Sequence, residues 1–242
     1  MAQRPIFIPN LDKGRYVIKE DIEFEWHPGM SVQQKQKSIN SLHESAKNKG
    51  IYPVLEISTK SELSIGRNLS AFNLLMNFDN NKKITVEAAY QGSKVFEHGG
   101  PYREFFYLTG KKIKKDEKLQ KSGKLIEFDF NGIKWQLKPV NAFYDWLYIN
   151  ALYQNRDLSN QILDYKGFSD IEFNPNKSIN CQARAAALFV SLYKHKLLDS
   201  VISDRNIYLD LIQKNENGLK NKTKSRQTEL DLFSQSNNPM QI

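Results

Sequence analysis

Glu87 is the one carboxylate in the first part of the segment ITVEAAYQGSKVFE, residues 84–97, where its neighbours are apolar or small. Read at helical spacing, Ala88 and Gln91 follow it at one and four residues, and Lys94 and His98 at seven and eleven, so these polar groups would share one face. Thr85 is placed to cap such a helix, and Ala88, Ala89 and Gly92 leave room for a ligand or a close-packed neighbour. Two readings of the segment stand side by side: part of a site, or a half-buried helix whose Glu and Lys pair at its surface. His98, in the turn His98-Gly99-Gly100-Pro101, could serve as an acid beside Glu87 or simply face solvent. The four histidines are scattered with no second His or Cys at ligand spacing, so chemistry without metal or cofactor is expected. Cys181 is the only cysteine; it excludes an internal disulfide, fits a reducing cytoplasm, and reads as packing because no partner histidine motif accompanies it.

Several elements would have to position these groups. Arg15 to Trp26 alternates as strand, with an interruption near Glu20. Ser31 is placed to cap a helix that carries Val32, Ile39, Leu42 and Ala46 on one face and closes at Gly50. Pro53 to Ser58 reads as a short buried strand. Leu125 to Leu137 reads as a hairpin, with Asn131-Gly132 supplying a type I′ turn. Asn141 to Tyr153 and Cys181 to Lys196 are strongly apolar helices, the second with Ala185, Leu188, Phe189 and Leu192 as a core stripe. Helices outnumber strands without regular alternation, which predicts a mainly helical α+β domain over 51–213, an N-terminal strand-helix extension over 1–50 and a basic tail over 214–242.

At 242 residues and 40% hydrophobic content the chain can bury one ample core. No apolar run approaches the roughly 20 residues that span a bilayer, and MAQRPIFIPN lacks the apolar core of a secretory signal, so no membrane partner is expected. The formal charge of +8 is concentrated: residues 110–124 hold seven lysines against Asp116 and Glu117, and the tail adds Lys220, Lys222, Lys224 and Arg226. Such runs are either solvated surface or contacts to a polyanion.

Three ordered motifs carry a resemblance. Thr85 to Phe96, with its Glu, aromatic, Gln, Lys and aromatic, is similar to the signature of the NADAR (YbiA-like) family. Leu69-Ser70-Ala71-Phe72-Asn73 resembles the family's Phe-Ser-Asn-Phe turn, with Ala71 where the family usually has Asn. Gly167 to Phe173, followed by Asn180-Cys181-Gln182-Ala183-Arg184, resembles its Asp-aromatic element and the Asn-Arg opening of its last helix. In that stretch Phe173 stands where many members carry Trp, and NPNKSIN replaces a Gly-rich loop. With RPIFIPN and EFEWHPGMSVQQKQKSI, the chain looks closest to the NADAR antitoxins that accompany DarT-type DNA ADP-ribosyltransferase toxins.

The resemblance implies cleavage of the N-glycosidic bond between the distal ribose of ADP-ribose and a guanine of DNA, with ADP-ribosylated DNA and a DarT-type toxin as partners. Such a cleavage develops cationic character at the ribose C1″, which one carboxylate stabilises while a second handles the attacking water. Glu87 and Asp170 are the two candidates, with their roles open to exchange. Lys94 would neutralise diphosphate or attack C1″ as an amine, and Arg184 would hold diphosphate or pair with Asp170 or Glu172. Ser70, Phe72, Asn73 and Gln91 are implied contacts, and Tyr90, Phe173 and Trp146 could stack on a base or belong to the core. Two rivals remain: an N-glycosidase acting on a free nucleotide or riboflavin-pathway intermediate, against which the lysine run argues, and a non-catalytic antitoxin that binds its toxin. In the tail, Glu229-Leu230-Asp231-Leu232-Phe233 resembles the short peptide that docks on the replication sliding clamp, with Glu229 in place of Gln.

Overall fold

The computed structural model describes residues 1–12, 14–79, 82–174 and 180–214. The clamp-like peptide and the basic tail from residue 215 onward lie outside the described residues.

Strand β1 (Ala2–Pro9) pairs antiparallel along its whole length with β2 (Val17–Phe24), from Ala2 opposite Phe24 to Pro9 opposite Val17. A four-stranded sheet results, in the order β2, β1, β9 (Gly167–Ser169), β3 (Val54–Glu56), with β9 antiparallel to β1 and parallel to β3. The interruption expected near Glu20 is absent: Glu20 pairs with Ile6 inside a continuous strand, because the partner strand supplies a ladder that the alternation of β2 alone does not reveal. The first 50 residues thus provide two of the four strands, and β1 is an interior one.

Being interior, β1 is apolar on both faces, as strand period two requires. Ile6 joins Ile22, Phe24, Val54 and Ile171 in a core beneath helix α1 (Val32–Asn48). Phe7 points the other way, with Leu55 and Phe168, into the main core that includes the aliphatic face of α8 (Gln182–Lys194). Helix α1 starts where expected, the Ser31 side chain accepting from the Gln34 N–H, and buries Ile39, Leu42 and Ala46. Val32 does not join that face; it is exposed, since it opens the first turn before the helix meets the sheet. Each fully buried Leu or Phe of this kind contributes about 1.5–3 kcal/mol.

Between β3 and α6 (Ala142–Gln154) lie the short helix α2 (Ser64–Asn68) and the ribbon of β4 (Leu75–Asn77) with β5 (Lys83–Thr85). Next come α3 (Val86–Gly92) and a second sheet of β6 (Lys94–Phe96), β7 (Leu125–Phe130) and β8 (Ile133–Trp135). A 3-10 helix (Arg103–Tyr107), α4 (Gly110–Lys114) and α5 (Lys118–Lys121) separate β6 from β7. The β7–β8 turn has φ of 53° at Asn131 and 84° at Gly132, both positive as a type I′ turn demands. Helix α7 (Arg156–Gln161) precedes β9, and α9 (Leu198–Ser203) with a last helical stretch at 205–214 follows α8. Mixed short strands and helices packed on one main core make an α+β domain. Among the described residues no helix is long and apolar enough to cross a membrane.

Residues 84–97 do not form one helix. The helix ends at Gly92, whose Cα faces Phe106 so closely that a Cβ there would meet the ring at 2.5 Å, and the chain turns at Ser93 into β6. Lys94 therefore sits on a strand opposite Phe128, and shares no helical face with Glu87. Hydrogen bonding to β7 captures a segment that local periodicity assigns to the helix.

Candidate active site

Glu87 is in the first turn of α3, which Thr85 caps as its sequence position predicts, Oγ1 accepting from the Ala88 N–H at 3.2 Å. The Glu87 N–H donates to the Ala71 carbonyl at 2.9 Å. The Ala71 N–H in turn donates to Gln182 Oε1 at 2.7 Å, and Gln182 Nε2 donates to Ile57 O at 2.6 Å and to Asp170 Oδ2 at 3.0 Å. A continuous chain of bonds therefore runs from Glu87 through the backbone of Ala71 and the amide of Gln182 to Asp170. It joins residues 83 positions apart on four segments. Ala71 contributes through its backbone, so the missing Asn side chain leaves this linkage intact.

Asp170 follows β9 in a tight turn in which Oδ1 accepts from the Glu172 N–H at 3.0 Å and the Phe173 N–H at 3.2 Å. Burial pushes its carboxyl well above the ordinary carboxylate range, and the neighbouring Glu56 adds repulsion. Glu56 lies in β3 behind the site, 2% exposed, its Oε2 accepting from Ser169 Oγ at 2.5 Å and its Oε1 from the Ile171 N–H at 2.9 Å. Ser169 Oγ also meets His43 Nε2 at 2.8 Å, and burial lowers the His43 imidazole to about 4. An acidic residue in the otherwise apolar run Val54-Leu55-Glu56-Ile57 is a readable sign of a buried, hydrogen-bonded carboxyl.

Glu87 and Asp170 line one cavity of about 320 Å³, near the lower end of the ~300–1,000 Å³ range of ligand pockets. Ser70, Phe72, Tyr90, Gln91 and Phe173, all singled out from the sequence, line it as well. Gln91 Nε2 donates to Glu87 Oε1 at 3.2 Å. The Tyr90 hydroxyl accepts from Asn180 Nδ2 at 2.6 Å and is pushed up to about 12 by burial. Ser70 is 1% exposed and its hydroxyl has no hydrogen-bond partner among the described residues, a polar group left unpaired at the wall of an open cavity. Ala71, Tyr144, Glu172, Asn180 and Gln182 complete the lining; Gln182 was hidden in the NCQAR stretch because an amide carries no charge or catalytic signal.

Other candidates fall elsewhere. Asn73 lines an adjoining cavity of about 810 Å³ that shares Phe72 and Glu172 with the first, and its Nδ2 donates to Arg67 O. The Lys94 ammonium lies 5.0 Å over the Tyr90 ring; burial lowers its pKa and attraction to Glu87 raises it, so the two groups remain electrostatic neighbours despite their different elements. Arg184 is not in the lining of either cavity. It forms an ion pair with Asp145 of α6, a residue 1% exposed, rather than with Asp170 or Glu172. The reason is geometric: from the first turn of α8 the side chain reaches Asp145 on α6. Trp146 packs on Trp135 at 5.0 Å and on Phe130 at 6.3 Å, in the core and away from the cavity. His98 is exposed in its turn and lines neither cavity. The Cys181 thiol is buried and pushed well above its ordinary value.

Among the described residues no group of three or more His, Cys, Asp or Glu side chains is arranged to hold a metal ion. No curated protein matches the chain. A family model described as DarT1-associated NADAR antitoxin matches residues 2–222, taking in β1 and the helix that precedes the tail. With that coverage, and with the signature residues gathered around one cavity, the chain belongs to the DarT1-associated NADAR antitoxin family.

Proposed function

We propose that the protein is an ADP-ribosyl glycohydrolase that removes ADP-ribose from guanine bases of DNA, and so reverses the action of a DarT1-type toxin. The observation that carries this reading is the presence of Glu87 and Asp170 in the lining of one small cavity, with the Ser70 hydroxyl unpartnered there among the described residues. Family membership supports the antitoxin role.

The two acids differ in what surrounds them. Asp170 already accepts from two backbone N–H groups and the Gln182 amide, which fixes its orientation. Held more protonated than an ordinary carboxyl, it suits donation to and acceptance from a ribose hydroxyl, and Ser70 offers a second such contact. Glu87 has only Gln91 bonded to its carboxylate among the described residues, at Oε1, which leaves Oε2 for water. In the reaction, the C1″–N bond breaks and its electron pair stays on the guanine nitrogen, which gains a proton. Water oxygen bonds to C1″ and its proton passes to Glu87; solvent supplies the proton that the guanine nitrogen takes up, and Glu87 returns its own to solvent, so no net proton is released. The Glu87 charge also opposes the positive charge developing on the sugar.

Incubation of the purified protein with guanine-ADP-ribosylated DNA should release free ADP-ribose. Glu87→Gln should lose 10²-fold or more in rate, a typical contribution of a general base, with an unchanged melting temperature. Retained turnover in that variant, or a wild type that protects cells from the toxin without releasing ADP-ribose, overturns the proposal.

One observation favours a second route. Burial drives the Lys94 ammonium toward the neutral amine, the form that could attack C1″ and displace the guanine nitrogen. A ring-opened imine on Lys94 would be reduced by borohydride to a stable adduct whose mass marks residue 94. Full turnover without a trappable adduct leaves the water route alone.

A further inference from the structure

The reaction cavity shares lining residues with two neighbouring cavities, and the two differ in chemistry. Through Tyr90, Tyr144 and Asn180 it adjoins a cavity of about 290 Å³ walled by Leu125, Phe128 and Phe143. Through Phe72 and Glu172 it adjoins the 810 Å³ cavity, large enough for several ring systems. The floor of the larger cavity is apolar, with Ile84 and Phe106 buried. Its rim is basic and aromatic. Lys60 and Lys83 line it, and Tyr107 is 60% exposed with the Lys82 ammonium 5.1 Å over its ring.

The same rim leads into the lysine-rich segment. Gly110, the first residue of α4, stands between the two cavities: a Cβ there would meet the Phe72 ring at 2.6 Å and Glu87 Cγ at 3.3 Å. Lys112, Lys115, Lys118 and Lys121 are exposed beyond it. Lys118 and Lys121 are paired with Glu104 and Glu117, while Lys112 and Lys115 form no ion pair among the described residues.

On the reading of the site as a DNA ADP-ribosyl hydrolase, the substrate has two arms on the distal ribose, the diphosphate at C5″ and the base at C1″. One ends after a nucleoside diphosphate; the other continues as a polyanion in both directions. The terminating arm suits the small apolar cavity beyond Tyr90. The geometry points to the large cavity as a subsite for a single DNA strand, with an unpaired base stacked on Tyr107 and its phosphates on Lys60, Lys82 and Lys83. An exposed aromatic next to cations is what sequence-tolerant binding of a single strand needs, since every base offers a π-face and every linkage a charge. A duplex would have to open locally to reach this floor.

The test uses the full chain and an unmodified mixed-sequence single strand of about a dozen nucleotides, followed by fluorescence anisotropy. Wild type should bind it more tightly than the same strand in a duplex, with affinity falling as salt rises. Tyr107→Ala should weaken binding about tenfold, and Lys83→Gln should lower the salt slope by roughly 0.7. Lys194→Glu, at the end of α8 and outside the three cavities, should change the affinity far less than either. Melting temperatures of all variants verify folding, and Tyr107→Phe should restore the loss.

Unchanged affinity in Tyr107→Ala and Lys83→Gln, or equal weakening by Lys194→Glu, overturns the subsite. So does loss of toxin protein binding in Tyr107→Ala with strand binding intact, which would make this face a protein contact. The hydrolase reading is judged separately, by ADP-ribose release from a modified strand. Absent release with Tyr107-dependent strand binding refutes the hydrolase alone; normal release with Tyr107-independent binding refutes the subsite alone.

Discussion

Replacing Gln182 with Met tests whether one buried amide holds the two acids in register. Met is close to Gln in volume and shape and keeps the helix start, but it removes three hydrogen bonds at once: to Ala71 N–H at 2.7 Å, Ile57 O at 2.6 Å and Asp170 Oδ2 at 3.0 Å. Gln182 is 8% exposed, so water does not readily replace them. An intramolecular hydrogen bond is worth about 1 kcal/mol net, one to an ionisable group somewhat more, and a buried donor left unpaired costs roughly 1–3 kcal/mol. Three such bonds and one unpaired donor add to about 4–6 kcal/mol. That is a large part of the ~5–15 kcal/mol by which a domain is stable, yet short of unfolding it. For a chain of this size the melting temperature should fall by roughly 10 °C, read by calorimetry or circular dichroism.

Activity gives the second readout. Loss of the Gln182 donor pushes the Asp170 carboxyl further up, and frees Ala71, whose carbonyl seats the first turn of α3 and hence Glu87. Release of ADP-ribose should drop more steeply than folded fraction accounts for. Gln182→Glu sharpens the point. The new carboxyl, deprotonated, faces Ile57 O and Asp170; protonated, it donates one of the two bonds that the amide donates. Its folded pKa is raised, so stability is present at low pH and lost as pH rises through the carboxylate range and above. A melting temperature within about 1 °C of wild type and unchanged turnover in Gln182→Met would refute the linkage from Glu87 to Asp170.

Other expectations are shorter. His43 has its imidazole lowered from 6.5 to about 4 by burial, so between those values the unfolded chain binds a proton that the fold refuses. Stability contributed by this group is lost as pH falls through that window, by ~3 kcal/mol at about 1.4 kcal/mol per unit. His43→Gln should remove this slope from urea-unfolding free energies measured across the window, and parallel curves for the two proteins would count against it. Gly110→Ala places a Cβ 2.6 Å from the Phe72 ring; turnover should fall while stability drops only about 1–3 kcal/mol, measured as steady-state rate and melting temperature together. Gly132→Ala meets no atom within 4 Å but sits at φ of 84°, so backbone strain alone should cost about 1 kcal/mol without touching activity.

Elements whose causes are local were legible from the chain itself. Ser31 caps α1, Thr85 caps α3, Asn131-Gly132 turns the hairpin, and the apolar stripe of α8 is buried, because each depends on residues within a turn or a pleat of one another. Two acids in recognisable motifs were legible too, Glu87 and Asp170, since their residue types and order are what the motifs consist of. The placing of Lys94 was not. Gly92 at the foot of Phe106 and the ladder to β7 end the helix early, and neither influence lies within the segment.

The same holds for the partners of each site group. Arg184 carries the type of charge a diphosphate needs, but α6 presents Asp145 to it, 39 residues away in the chain. Glu56 and Asp170 become neighbours only because β3 and β9 pair in parallel, Glu56 beside Ser169. Gln182 reaches Ala71 across 111 residues. Residue type and short-range spacing determined which side chains had chemistry to offer and which helices and turns would form. Pairing between distant strands and helices decided which of those side chains meet, because hydrogen bonds and ion pairs act over a few ångströms of space and are blind to distance along the chain.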